Sequence, residues 1–376
     1  MLKNLYGGDL VGRSQAELNT ILAAHERYAL YQGGERAVLA HADLSGLNLA
    51  NRNLTQADFS GASLVGANLY GSNLERASLY CADLRNCNLQ LANLVRADLR
   101  GASFKDAKLS YAVLDQADLR STMMTYSIAD AVAERARQSA VEKASAQQAG
   151  DPGVDFSHCS LKGASFGNAK LSGVNFTDAL LSGANFKNAR LTNVTFKGAV
   201  LTGVNLRELD IPADALDGCV LDVAPDAEAK IGEIKSALDA HRRWIESDGK
   251  KGAPASLDGE DLRPLRGLLT DDELTGLSAR RANCVGLDFS GSRIQGAKFD
   301  GADLRDADFT GCDLRGTSFR GAKLAHAKFG NANLKCLHLT SGALLAPDFA
   351  GAEASEHQFA GAALDAALPA LGLIVV

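Results

Sequence analysis

The sequence has few aromatic residues and no long apolar run. Only 6% of its 376 residues are aromatic, and a single tryptophan is present. Aromatic side chains usually supply much of a globular core, so this composition disfavours one large hydrophobic centre. A membrane-spanning helix needs roughly 18 or more consecutive apolar residues, and the sequence contains no such stretch. We therefore expect no contact with a membrane.

Signals for export, metal binding and catalysis are also missing. Residues 1–13 lack a basic stretch followed by an apolar one, so we expect no cleaved export signal and a cytoplasmic location. The seven cysteines have no Cys-x-x-Cys spacing, which fits free thiols, and Cys81 and Cys336 are predicted to point outward. No phosphate-binding loop, nucleophile–base set or paired-histidine motif occurs. We predict no catalytic residue, no cofactor and no metal site.

Glycine and alanine are abundant, and they belong to a five-residue repeat. In residues 44–119 every fifth residue is Leu or Phe, sixteen in succession. A second block covers residues 156–206 and a third covers about 289–364. The residue two before each Leu or Phe is usually Ala, and the one between is polar. A period of five matches neither a helix nor a flat strand, so it predicts short extended segments joined by turns and stacked as coils.

The tandem motif, seen in Ala42-Asp43-Leu44-Ser45-Gly46, resembles the pentapeptide-repeat family. The resemblance implies an all-β solenoid, a right-handed quadrilateral β-helix with four repeats, or twenty residues, in each coil. All 14 phenylalanines occupy the central repeat position, and in the second and third blocks they recur every ten residues. In a coil of that length, residues ten apart face each other and residues twenty apart stack. We therefore predict that phenylalanine fills two opposed walls of the core.

Three segments interrupt the period and define the predicted domains. Two of them read as matching amphipathic helices that cap a coil, since an uncovered coil edge invites pairing with another chain. The third is either an inserted helix or a hinge between blocks, and residues 263–286 are either a distorted coil or a linker. The predicted domains are a cap helix (1–38), a first repeat block (39–124), a helical insertion (125–153), a second repeat block (154–222), a second cap helix (223–256) and a third repeat block with a C-terminal tail (257–376).

Charge bears on the choice of partner. The formal net charge is −6, and it lies mainly in residues 212–286, with fifteen acidic and ten basic side chains. Quinolone-resistance members of the resembled family mimic DNA and bind type II topoisomerases, which calls for a strongly acidic surface. The nearly neutral coils disfavour that function and direct nucleic-acid binding. We predict a non-enzymatic bacterial protein-interaction scaffold, with a DNA-mimicking, gyrase-protecting topoisomerase modulator as the alternative.

Four outward positions of the first block are candidates for partner contacts. Tyr70 and Tyr80, with Tyr111, form a thin aromatic stripe. Arg100 and Arg120 form a basic column, but an aspartate lies two residues before each of them, so we expect these charges to be locally balanced.

The predicted cap helices and the C-terminus supply the other candidates. His25 and Tyr28 in the first helix correspond to His241 and Trp244 in the second. These pairs are either a recognition feature used twice or anchors that hold each helix on its first coil, and the anchor interpretation is favoured. The apolar segment 368–376 either covers the last coil or forms a homodimer contact.

Overall fold

The repeats pair their backbones at a spacing of one coil. The structure, a computed structural model, describes residues 10–120, 154–209, 211 and 213–375. Parallel bridges join each wall residue to the residue twenty positions later, as Asp43 to Ser63 and Ser63 to Asp83. A new column of bridges begins every five residues, so four walls make up each coil. The described coils therefore form a quadrilateral β-helix.

Side-chain size and backbone freedom explain why each repeat turns a corner. The central Leu64 and the alanine two residues before it, Ala62, are both fully buried. The corner residue adopts a positive φ, which Gly66 (φ 67°) and Asn86 (φ 59°) illustrate. Glycine and asparagine tolerate this left-handed conformation better than other residues, which accounts for the motif.

The chain divides into two compact units, Met1–Asp222 (unit 1) and Val223–Val376 (unit 2). The helices are α1 (Gln15–Ala29), α2 (Pro225–Ala229) and α3 (Ile231–Glu246). Within the described residues the short strands are β1 (Val11–Gly12), β2 (Ala42–Asp43), β3 (Lys170–Ser172), β4 (Arg190–Thr192), β5 (Asn333–Leu334), β6 (Leu337–His338), β7 (Leu344–Leu345), β8 (Glu353–Ala354), β9 (Ala363–Leu364) and β10 (Ile374–Val375). The pairs β1–β2, β3–β4, β5–β9 and β8–β10 are parallel, whereas β6–β7 is antiparallel.

Helix α1 begins at a capping box. The Ser14 N–H donates to Glu17 Oε2 at 2.8 Å, and the Glu17 N–H donates to Ser14 Oγ at 3.3 Å. These two bonds form a capping box, as the Ser14-Gln15-Ala16-Glu17 sequence favours. Leu18, Leu22 and His25 lie on one face and are buried, and the two leucines pack in the same core cluster as the first coils.

The first and second repeat blocks form one continuous ladder in unit 1. Lys108 pairs with Asp155, and Asp118 pairs with Ser165, on either side of the interruption. This direct pairing excludes a hinge between the blocks. The predicted helical insertion, residues 125–153, lies outside the described residues.

Unit 2 opens with a broken helix and an enlarged coil. The helix predicted within the second cap domain (223–256) is divided at Lys230 into α2 and α3. In the first coil Ser256 pairs with Ser278, a spacing of 22 residues, and a 3₁₀ turn at Arg263–Leu265 lies within this coil. Residues 263–286 are therefore part of a distorted coil rather than a linker.

The end of unit 2 contains a hairpin and a final rung. The hairpin β6–β7 interrupts the coil, so that Ser318 pairs with Asp348 at a spacing of thirty residues. The C-terminal strand β10 then pairs with β8, and Leu368 and Leu373 join the core. The C-terminal segment thus extends the ladder over the last coil.

Phenylalanine rings form two stacked columns in the core of each unit. Phe309 illustrates the arrangement, because it stacks on Phe289 and Phe329 at centroid distances of 5.0 and 5.3 Å. It meets Phe299 and Phe319 of the opposed wall edge to face, at 5.9 and 5.6 Å. Both geometries are favourable for aromatic pairs. The predicted placement of phenylalanine on two opposed walls is confirmed.

Candidate interaction surfaces

The basic column of unit 1 is neutralised within its own wall. Arg100 donates from Nη2 to Asp98 Oδ2 at 2.6 Å and from Nε to Oδ1 at 2.8 Å. Arg120 makes the same fork with Asp118, at 2.5 and 2.8 Å. Burial raises the pKa of Asp118, but its hydrogen bonds to Arg120 outweigh burial and hold that pKa below its usual value. The expected local balance of these charges is confirmed.

The predicted aromatic stripe is wrong, because its members lie on different surfaces. Tyr70 is 39% exposed, but Tyr80 follows it by ten residues and therefore lies on the opposite wall. The Tyr80 ring lies under the Arg100 guanidinium, 5.3 Å from its centroid, as in a cation–π contact. Tyr111 is only 7% exposed and stacks on His158 at 5.5 Å. Tyr70 alone therefore presents an exposed aromatic face in this set.

The two histidines of the long helices occupy equivalent positions in the two units. His25 and His241 are fully buried. Nδ1 of His25 accepts the Ala37 N–H at 3.0 Å, and Nδ1 of His241 accepts the Ala255 N–H at 3.0 Å. Burial lowers the pKa of both imidazoles, which favours the neutral form that can accept at Nδ1. Each histidine thus links its helix by a hydrogen bond to the segment that leads into the first coil of its unit.

The aromatic partners of these histidines are partly open to solvent. Tyr28 stacks on His25 at 5.8 Å and is 38% exposed. Trp244 stacks on His241 at 5.8 Å and is half-buried. The structure therefore brings each predicted pair together, with the histidine inside and the aromatic ring covering it.

Sequence reasoning missed a pair of opposite charges beside these histidines. Glu26 Oε1 accepts from Arg52 Nη1 at 3.1 Å in unit 1. In unit 2 the equivalent helix position is Arg242, which donates to Asp272 at 2.6 and 2.7 Å. The polarity of the helix-to-coil ion pair is therefore reversed between the units. The aligned helix sequences already place Glu26 opposite Arg242. The coil partners Arg52 and Asp272 could not be identified from the sequence, because they lie far from the helices along the chain.

A basic group on β3 and β4 was also missed. Lys170 and Arg190 face each other in register on the two parallel strands, and both are exposed. Lys187 is exposed on the neighbouring wall. No ion pair of these three side chains occurs within the described residues. Their signal in the sequence was weak, since the second block has only two more basic than acidic residues.

The cysteines give no sign of disulfide or metal chemistry. All seven are free thiols. Cys81 is only 3% exposed, so the expectation of an accessible, outward-pointing thiol was wrong for this residue. Cys336 is partly exposed. In the described part of the chain, no cluster of histidine, cysteine and carboxylate side chains has the makings of a metal site. None of the described helices is long and apolar enough to cross a membrane.

Twenty-residue coils with four bridged walls define a class of repeat proteins, and the family follows from the sequence matches. The family model described as pentapeptide repeats matches in eight copies, which together cover more than half of the chain. The chain belongs to the pentapeptide repeat family. The matched residues are 35–69, 53–90, 82–120, 102–128, 152–178, 169–207, 273–306 and 302–335.

Several solved structures are similar to parts of this chain. A pentapeptide repeat protein from the Arabidopsis thaliana thylakoid lumen is 26% identical over 36% of this chain and 66% of its own, with a TM-score of 0.21. QnrB1, a plasmid-mediated fluoroquinolone resistance protein, is 19% identical over 54% and 90%, with a TM-score of 0.21. HetL, a Nostoc protein involved in heterocyst differentiation regulation, is 19% identical over 96% of both chains, with a TM-score of 0.15. Superpositions with such low scores carry no argument about function. No curated protein sequence matches this chain.

Proposed function

We propose that this chain is a non-enzymatic protein-interaction scaffold of the bacterial cytoplasm. In this proposal the coils are right-handed, and the helices α1 and α3 cap them. The supporting observation is the ladder, in which bridges at every fifth residue hold outward side chains in fixed columns. Neighbouring rungs of such a ladder are about 4.8 Å apart, so a partner meets a regular, pre-ordered array of side chains. A pre-ordered surface loses little entropy on binding.

The alternative, a DNA-mimicking modulator of type II topoisomerase, is disfavoured because acidic side chains on the walls are paired with arginines. Aspartates are repeatedly paired with the arginine two residues later on the same wall, as Asp83 with Arg85 and Asp313 with Arg315, both at 2.7 Å. A carboxylate paired in this way adds little to a negative surface field. A gyrase supercoiling assay with and without a fluoroquinolone is expected to show no protection. Protection at equimolar chain would favour the alternative.

Affinity capture tests the scaffold. We expect the immobilised 376-residue chain to enrich one protein from a lysate of the source cells. The purified partner should then bind the chain again and saturate at a ratio near one to one. The matched control is Phe309→Ala, which keeps every outward residue in the sequence but is expected to disorder the walls that hold those residues in columns. Equal enrichment by the control, or turnover of a small molecule by the purified chain, would contradict the proposal.

Trp244→Ala distinguishes the two interpretations of the helix aromatics. If Trp244 and Tyr28 anchor their helices, Trp244→Ala lowers the stability of unit 2 but leaves the affinity of the captured partner unchanged in protein that is still folded. A loss of binding without a loss of stability would instead make the pairs His25–Tyr28 and His241–Trp244 a recognition feature.

We also propose that the last rung is a contact for a second copy of the chain. Ile374 and Val375 of β10 are 49% and 37% exposed, and they lie on the final rung of unit 2. An uncovered parallel edge with apolar side chains favours pairing with another strand. Light scattering is expected to report a dimer that Ile374→Lys converts to a monomer. A wild-type monomer at high concentration would refute the contact.

A further inference from the structure

The turn that follows helix α1 is shorter than its counterpart after α3. Tyr31 and Ser247 are equivalent, since each lies three residues after the aromatic side chain of its helix. Gly34 and Gly252 are also equivalent, because a β-carbon on either would collide with a backbone carbonyl of the preceding helix. Two residues lie between Tyr31 and Gly34, whereas four lie between Ser247 and Gly252. The two units therefore differ at this turn although their helices match.

In unit 2 the longer turn lies against the helix aromatic. The Lys251 N–H donates to Ser247 Oγ at 2.8 Å, which ties the turn to the end of the helix. A β-carbon on Gly249 would lie only 3.3 Å from Trp244 Nε1, so the turn is close to the half-buried indole ring. A β-carbon on Gly33, in the turn of unit 1, would meet open space. The space that the turn fills in unit 2 is thus open in unit 1.

A pocket of about 270 Å³ occupies this place in unit 1. Tyr28 and Tyr31 form its aromatic sides, and they are 38% and 98% exposed. Thr55 and Gln56, at a corner of the first coil, contribute its polar rim. The pocket lies at the C-terminal end of α1, about 22 Å along the helix from Ser14. We call it the Tyr28–Tyr31 pocket.

The rim of the Tyr28–Tyr31 pocket offers hydrogen-bond donors and a cation. Gln56 is exposed, and its side-chain amide can donate two hydrogen bonds. Arg36 donates from Nη1 to the Gln56 carbonyl at 3.2 Å, which holds the guanidinium beside the pocket. Within the described residues Arg36 forms no ion pair, so its charge is available to a ligand. The equivalent residue of unit 2 is Pro254, which carries no charge.

These features select among the ways in which a peptide can dock. An added strand needs free backbone groups, but the Gln56 N–H already donates to the Glu75 carbonyl at 2.9 Å. A docked helix needs a groove that takes side chains from two turns, whereas this pocket extends over one helix turn and one coil corner. A polyproline II segment presents pyrrolidine rings and unpaired carbonyls. Aromatic sides with donors at the rim match that segment.

We propose that the Tyr28–Tyr31 pocket binds a proline-rich segment of a partner protein that carries acidic residues next to its prolines. The inference rests on the proposed scaffold function and gives that function a site. A pyrrolidine ring packs between the two tyrosine rings, the Gln56 amide donates to a carbonyl of the segment, and Arg36 pairs with an acidic side chain. Unit 2 has a serine in place of Tyr31 and a turn against its tryptophan, so binding belongs to unit 1.

A labelled peptide Ala-Pro-Pro-Ala-Pro-Pro-Asp-Asp tests the proposal. One control peptide has alanine in place of every proline, and the other has Lys-Lys in place of Asp-Asp. Fluorescence anisotropy with the 376-residue chain should show saturable binding of the first peptide, weakening as salt increases. Both controls should bind much more weakly. Equal binding by the alanine peptide, or by all three peptides, would overturn the proposal.

Variants of the chain locate the binding site. Tyr31→Ala should lower the affinity about tenfold or more, because aromatic side chains dominate small interfaces. The ring is 98% exposed, so the thermal midpoint should stay unchanged. Leu30→Ala is the matched control, since Leu30 is 59% exposed but does not line the pocket. Inserting Lys-Lys between Gly33 and Gly34, together with Tyr31→Ser, copies the turn of unit 2 and should abolish binding. Unchanged affinity in Tyr31→Ala would refute the site.

Two further measurements separate the possible occupants and the two proposals. A chain without residues 1–9 should bind the peptide as the whole chain does. A tenfold gain in affinity would mean that the N-terminal segment of the chain itself fills the pocket, and the proposal would fall. If the immobilised chain captures a partner that Tyr31→Ala retains equally, the scaffold function stands and this site does not. Peptide binding without capture of any partner would have the opposite meaning.

Discussion

At the scale of single residues, one imidazole nitrogen holds each long helix in place. Nδ1 of His25 and of His241 accepts a backbone N–H, at 3.0 Å in both units. That bond exists only while Nδ1 carries no proton, and burial lowers the pKa of both side chains. A fully buried histidine that must stay neutral links stability to pH.

We expect the chain to lose stability on mild acidification. A histidine whose folded pKa is lowered is neutral in both states above the ordinary value of about 6.5, so its contribution is complete there. As the pH falls below that value the unfolded chain takes up protons first, and stability declines until the folded pKa is reached. Urea unfolding between about pH 7 and pH 5 should show a falling midpoint.

The control for this prediction replaces the titrating group and retains the acceptor. In His25→Asn/His241→Asn the side-chain oxygen takes the place of Nδ1, and the midpoint should depend much less on pH. Burial also lowers the pKa of His357, so this histidine accounts for the pH dependence of the midpoint that remains in the double variant. A pH profile unchanged in the double variant would contradict the assignment.

The stacked rings of the core are a second feature at this scale. Phe309→Ala removes a fully buried ring that contacts four others, and large-to-small changes of this type cost about 3–5 kcal/mol. Phe309→Leu should cost less, because leucine occupies the same central position on the other walls. Denaturant unfolding, with amide exchange of the third block, measures both. A cost near zero for the alanine variant would refute the ring columns as the main support of this core.

At the scale of elements, the two long helices are alike in packing and opposite in charge. Ile234 and Leu238 of α3 are buried at the positions that Leu18 and Leu22 occupy in α1. The ion pair beside them has a glutamate on α1 and an arginine on α3, here Arg242. Each helix therefore carries a charge opposite to that of the coil residue it contacts in its own unit.

Reversing one partner of each ion pair tests this arrangement. Glu26→Arg should cost about 0.2–1 kcal/mol, because both side chains of that pair are about one-third exposed. Arg242→Glu should cost more, about 1.5–3 kcal/mol, because Asp272 is only 9% exposed and loses two charged hydrogen bonds. Thermal unfolding gives both values. The double variant Glu26→Arg/Arg52→Glu should recover most of the single loss, and failure to recover would show that the pair does not act directly.

At the scale of the whole molecule, the same ladder buries small polarisable side chains throughout both units. Cys87 and Cys312 occupy the inward alanine position, and burial raises the pKa of each thiol to about 12. Burial also raises the pKa of Cys159 and Cys284. A thiol that does not ionise is a poor nucleophile, so these four should be inert in the folded chain.

Thiol titration of the native protein should therefore separate the cysteines into two groups. Cys219 and Cys336, which are partly exposed, should react first with an aromatic disulfide reagent at about pH 8, and all seven should react in guanidinium chloride. Cys81, which is buried at a corner, should follow slowly. Rapid labelling of Cys159 or Cys284 in native protein would contradict the closed core.

The amino-acid sequence by itself determined the repeat, the twenty-residue coil, the opposed columns of phenylalanine and the capping box at Ser14. These features follow from side-chain periodicity and local hydrogen bonds, which the order of residues specifies directly. Only the tertiary structure decided that the ladder continues from Lys108 to Asp155, that one coil of unit 2 has 22 residues, and that Tyr70 and Tyr80 lie on opposite walls. Each of these features depends on which residues, distant in the sequence, pair on neighbouring rungs. The sequence shows where the five-residue period is interrupted, but it does not show at which residue the backbone pairing resumes.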